Sequence, residues 1–199
     1  MTHTKFHLLL FFLVSASLLA LSSCKPSPQK AEEYFERMMD CQQAVLETED
    51  ALIQLINIEM QKTLIDSVSA NLPQNSDTSG YAAEINVAYD DFCMQIKKSQ
   101  AQLRDIGRFN NKTELLDAAT SLLETYRSLS AKEYKEVVEI VKIPSSLYTN
   151  ENDNRFLDLT EHIDTTLQAQ IDNFTRASKA FARDYNFEIS LDDSTFFNE

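Results

Sequence analysis

Glycine and proline are scarce in this 199-residue chain, two and four residues respectively, and tryptophan is absent. Two glycines cannot build the Gly-rich loop that cradles a phosphate, and four prolines leave few places where a helix is forced to stop. Histidine is equally thin. His3 and His7 fall in the apolar N-terminal segment, which leaves His162 alone in the remainder. Most histidine-based acid–base and metal schemes go with them. The Glu-x-x-His motif of a di-iron bundle is missing because residue 159 is Leu; Asp158, one turn before His162, is its expected surface partner. No Cys-x-x-Cys pair, haem-attachment motif or Gly-x-Ser-x-Gly elbow occurs. Positive charge is short too: 18 Lys and Arg face 31 Asp and Glu, for a formal charge of −13. Such a balance excludes a nucleic-acid partner, which needs clustered cations, and a membrane surface bound through charge.

What is present is helical periodicity. Ser27-Pro28 reads as an N-cap followed by proline at the first helical position. From there Tyr34, Met38, Cys41, Val45, Leu52, Ile56, Leu64 and Val68 recur at threes and fours to about Leu72. Pro73 and the polar run to Gly80 end that helix. A second stripe, Tyr81 to Ile106, stops at Gly107. Asn111 with Glu114 resembles a capping box and opens a third, running through Leu116, Ala119, Leu123, Tyr126, Tyr134, Val137 and Val141 to Pro144. Asn152 or Asp153 is the expected cap of the fourth, whose stripe is Phe156, Leu159, Ile163, Leu167, Ile171, Phe174, Phe181 and Tyr185. Asn150, Asn152, Asn154 and Glu161 match positions of a calcium loop, but Arg155 stands where the turn needs glycine, and helix capping explains the asparagines better. No metal or cofactor is expected.

Four amphipathic stripes close one core. The expected fold is all-α: an antiparallel up-down-up-down four-helix bundle, with helices one and four extended toward the N-terminal end as a two-helix stalk. In that layout Cys41 and Cys93 are offset by roughly 25 Å along the axis, too far for a disulfide. The cations Lys97, Lys98, Arg104, Arg108, Lys112, Arg176, Lys179 and Arg183 suit the negative ends of helices two and four.

The N-terminus carries the sharpest signal. Residues 8–21 are an apolar run preceded by Lys5, too short to span a bilayer and suited to a secretory signal. Leu21-Ser22-Ser23-Cys24 then reads as a lipobox: cleavage between Ser23 and Cys24, and acylation of the Cys24 thiol. More than one acyl chain gives stable anchoring. Lys25, where an Asp would favour inner-membrane retention, points to the outer membrane. Loss of Lys5 with the signal takes the formal charge from −13 to −14. The expected organisation is a signal peptide at 1–23, a lipidated linker at 24–29, a helical bundle at 30–187 and an acidic tail at 188–199.

Ala88-Tyr89-Asp90-Asp91-Phe92, the stretch Leu115 to Ile140 with Glu133-Tyr134-Lys135-Glu136, and Ala180-Phe181-Ala182-Arg183-Asp184-Tyr185-Asn186-Phe187 resemble a family of small all-helical surface lipoproteins of Gram-negative bacteria. The resemblance implies lipid attachment and an exposed helical domain, and it carries over no catalytic residue. The acidic, Phe-containing tail after Phe187 departs from it. The expected function is that of a lipid-anchored envelope protein with a non-catalytic, protein-binding or structural bundle. The alternative is carriage of an apolar ligand among Tyr89, Phe92, Tyr126, Phe174 and Phe181.

Overall fold

The computed structural model describes residues 26–68 and 79–189. The expected signal, Ser23, Cys24, the loop after Pro73 and the tail from residue 190 lie outside the described residues, as do the side chains of 63–81. The described chain is all-helical and contains no strand: α1 spans Pro28–Val68, α2 Ser79–Ile106, α3 Glu114–Leu129, α4 Lys135–Val141 and α5 Asn150–Tyr185. A π turn over Ser130–Tyr134 joins α3 and α4 into one rod. None of these helices is long and apolar enough to cross a membrane.

The start of α1 follows the sequence. Ser27 Oγ accepts a hydrogen bond from Lys30 N at 3.4 Å, and the Ser27 carbonyl accepts from Ala31 N. The other two predicted caps are shifted. Asn110 and Asn111 sit at φ 50° and 61° in a tight turn closed by Lys112 N on the Phe109 carbonyl, a left-handed conformation that asparagine tolerates. Asn111 is therefore spent on the turn, and α3 begins only after Thr113. At α5 the cap is Thr149, whose hydroxyl accepts from Asn152 N while the Asn152 side chain accepts from Thr149 N. Asn152 is thus the third residue of the helix rather than its cap, and Asn150, Asn152, Asn154 and Glu161 all lie on α5, not in a loop.

At the described positions the stripes contribute to one shared core. Phe92, Phe174, Met38, Leu52 and Ile85 are wholly inaccessible, and the fourth stripe is buried at every predicted position except Phe156, which is half-buried. Leu116, expected inside, is also half-buried; Leu115 and Ala118 face the core instead, beside the expected Ala119. Cys41 is buried and Cys93 half-buried, and both are free thiols.

The stalk expected at the N-terminal end is a misreading. Tyr34 Oη donates to the Gly107 carbonyl at 2.8 Å, and its ring lies 4.8 Å from Phe109 and 5.6 Å from Phe181. Phe109 in turn meets Tyr185 at 5.1 Å. The α2–α3 turn thus reaches the level of the first turns of α1 and the last turns of α5, and an aromatic cluster seals that end. Phe187 continues the seal, 5.8 Å from Phe35 and 6.0 Å from Phe181. Burial in this cluster pushes the Tyr34 hydroxyl up to about 12.

Gly107 makes this turn possible. Its φ of +66° is left-handed, and a Cβ there would meet nothing within 4 Å. Gly107→Ala is therefore expected to cost only backbone strain, about 1 kcal/mol, read as a lowered urea midpoint with an unchanged slope.

Candidate functional site

Two features stand out from the largely apolar helical core, and both use the same turn of α1. The inward one is a buried carboxylate. Glu49 occupies the gap between Val45 and Leu52 on the core stripe and is 7% exposed. Tyr126 Oη donates to one carboxylate oxygen at 2.9 Å, and Tyr134 Oη donates to the other. Phe92 covers both rings, 6.1 Å from Tyr126 and 5.0 Å from Tyr134.

The π turn makes that pairing possible. Tyr126 and Tyr134 are eight positions apart, where two turns of α-helix take about seven. The π turn absorbs the extra residue, so both rings face α1. Insertions of this kind recur at functional sites. Ser130, the first residue of the turn, accepts a hydrogen bond on its carbonyl from Tyr89 Oη at 2.7 Å, which ties the turn to α2.

Burial raises the Glu49 carboxyl to about 7, the two tyrosine hydrogen bonds pull it partly back, and the nearby charges of Asp50 and Asp164 raise it further. Tyr126 and Tyr134 are pushed well above their ordinary value, first by burial and then by the Glu49 charge. Both carboxylate oxygens are occupied by tyrosine hydroxyls and the site is closed to solvent. It can hold a proton. Of the other buried polar groups, Gln42 Nε2 donates to the Ala119 carbonyl at 3.3 Å and Ser99 Oγ accepts from Gln95 at 3.1 Å, whereas Gln42 Oε1 and Ser178 Oγ have no hydrogen-bond partner among the described residues.

The outward feature is a seam between α1 and α2. A concavity of about 530 Å³ has an apolar floor of Ala51, Leu55, Ala83, Val87 and Ala88. Glu47, Glu84 and Asp91 stand around it. Toward Gly107 the seam continues into a second, polar concavity of about 580 Å³ that shares Glu47 and Thr48 with the first and includes Arg37, Lys98 and Asp105.

The sequence did not single out Glu49. Its signal was present: an acid at the one position that completes the spacing from Val45 to Leu52. The eight-residue step from Tyr126 to Tyr134 was likewise a mark of the π turn. His162 does not pair with Asp158. Its Nε2 lies 3.9 Å from Glu133 on the π turn, because the facing rod brings a carboxylate over the helix surface. Tyr89, Phe92, Tyr126, Phe174 and Phe181, the expected lining of a ligand cavity, are instead split between the triad of Glu49, Tyr126 and Tyr134 with its surroundings, the general core and the aromatic end. Among the described residues no group of three or more His, Cys, Asp or Glu is placed to hold one metal ion.

No family model, curated protein or solved structure matches this chain. The comparisons therefore bear neither on the lipoprotein resemblance nor on an activity.

Proposed function

We propose that this chain is a lipid-anchored, non-catalytic binding module of the bacterial outer envelope, attached to the membrane through Cys24 and built as an antiparallel four-rod bundle. The observation that carries the binding role is the solvent-open seam between α1 and α2, set against a core whose one carboxylate is sealed by two tyrosines. Paired contacts support the antiparallel arrangement. Cys41 meets Gln102, Gln100 meets Leu123, and Ser121 meets Gln170, while Glu136 meets Arg155 further along. Numbers rise on one rod as they fall on its neighbour. Gln42 with Ala119 and Glu49 with Tyr126 rise together, as the first and third rods of such a bundle must.

The apolar run, Ser23-Cys24 and Lys25 support an outer-membrane anchor. No catalytic residue, cofactor or nucleic acid enters this reading; its partner is a protein.

Labelled palmitate is expected on the wild-type chain and not on Cys24→Ala, which should leave the membrane fraction. Equal labelling of the two overturns the anchor. Capture from an envelope extract then reads the partner: a specific protein supports the module, whereas a tightly co-purifying lipid or cofactor in native mass spectra favours carriage instead.

A further inference from the structure

We infer that the α1–α2 seam docks one amphipathic helix of a partner protein, with its apolar side on the Leu55–Val87 floor and lysines or arginines against Glu47, Glu84 and Asp91. The inference rests on the binding role proposed above and names the chemistry of the partner.

The shape favours a helix. The apolar concavity runs along α1 from Glu47 to Leu55, about 12 Å or two helical turns at 1.5 Å per residue, and the polar concavity, with Arg37 and Lys98 in its lining, continues the seam toward Gly107. The floor suits an apolar stripe. Val87 is 60% exposed and Ala51 and Ala83 are exposed, although each lies beside half-buried Leu55 or Ala88. The alanines keep the floor low enough for large side chains to enter between the rods. Helices that lay an apolar face into such a groove are a recurring mode of recognition.

Charge decides the sign of the partner. Glu47, Glu84 and Asp91 form no ion pair with any described residue, and no Lys or Arg lines the apolar concavity. Three carboxylates around an apolar floor attract cations flanking an apolar stripe. Outside the described residues the anchored chain keeps one cation, Lys25 beside the proposed Cys24 anchor, and no apolar stripe flanked by several. Residues 190–199 contain Asp192, Asp193 and Glu199 with no Lys or Arg, and residues 69–78 contain Asp77 and again no cation. Lys5 departs with the signal in the proposed reading. A second copy would bring the same acidic rim, with a formal charge of −13 for the whole chain.

The test uses the full chain in detergent and a labelled 18-residue amphipathic helix of leucine and lysine as probe, read by fluorescence anisotropy. The controls are a scrambled peptide of equal composition and the same helix with glutamate for lysine. Preferential binding of the amphipathic lysine helix is expected. Val87→Asp, at an exposed position, should abolish it, and Glu84→Lys with Asp91→Lys should weaken it roughly tenfold. Glu124→Lys, on another face, should leave affinity within twofold. Equal binding of the scrambled peptide, or indifference to Val87→Asp, overturns the assignment. So does self-association abolished by Val87→Asp, which makes a second copy the occupant. If Val87→Asp still captures the envelope partner, the seam assignment falls and the binding role stands. If wild type captures no partner and binds no probe, both fall.

Discussion

Glu49→Gln is expected to make the protein more stable at pH 8 by about 3 kcal/mol and to flatten its stability between pH 5 and pH 7. Glu49 titrates at about 7 in the fold against an ordinary 4.5. In the window between these values the folded chain holds a proton that the unfolded chain has released. Stability therefore falls as pH rises from 4.5 to 7, is fully present below 4.5, and levels off above 7. The total loss is about 3 kcal/mol for a shift of this size.

Glutamine is neutral throughout, so it removes this loss. One tyrosine hydroxyl can still donate to its Oε1 and the other can accept from its Nε2, which leaves no buried hydroxyl orphaned. Glu49→Ala lacks that remedy: it strands both hydroxyls and should destabilise at every pH. The groups facing Glu49 are Asp50 on α1, Tyr126 on α3, Tyr134 at the π turn and Asp164 on α5. Asp164 is itself raised by burial, so the Gln variant keeps some slope from it. The difference between wild-type and Gln urea curves across pH 5–8 isolates Glu49. Parallel curves would mean a hydrated, ionised carboxylate and would discard the sealed-site description.

The helical class was legible because its signal is redundant. Four stripes at threes and fours, with two glycines and four prolines, leave no competing period. Cap positions were less legible because Asn, Asp and Thr all cap, and tertiary geometry selects among them. Asn111 went to a left-handed turn and Asn152 to the third residue of α5. The stalk was misread because rod lengths alone do not fix axial offset. The Tyr34 bond to Gly107 fixes it, and no periodicity encodes that contact. The triad was missed for a different reason. A charged residue on an apolar stripe reads as a break in the pattern until the two hydroxyls that solvate it are brought in from 77 and 85 positions away. The seam was invisible because it is defined by what α1 and α2 leave uncovered, not by either helix alone.

Phe92→Ala should be among the most damaging truncations of the helical core, and its effect should reach beyond packing. Phe92 is wholly buried and rests on Tyr126 and Tyr134. Removing a phenyl ring from such a site costs about 3–5 kcal/mol, part lost transfer energy and part cavity. An apolar cavity of that size would stay dry, but this one opens beside two hydroxyls and a carboxylate, which give a water its partners. Hydration relieves the burial that raises Glu49, so its titration should move from about 7 back toward 4.5. The mutant should therefore show both a large loss and a narrowed pH window, with the drop in stability finished at lower pH than in wild type. Phe174→Ala, at an equally buried position on α5, is the comparison, with a similar loss and an unshifted window. Urea midpoints for the three proteins across pH 5–8 separate the two effects. A loss below about 1 kcal/mol for Phe92→Ala, far under the expected range, would show that the ring does not hold the core. A full loss with an unshifted window would show that the carboxylate stays dry without it, and that the two tyrosines rather than the phenyl ring keep water out.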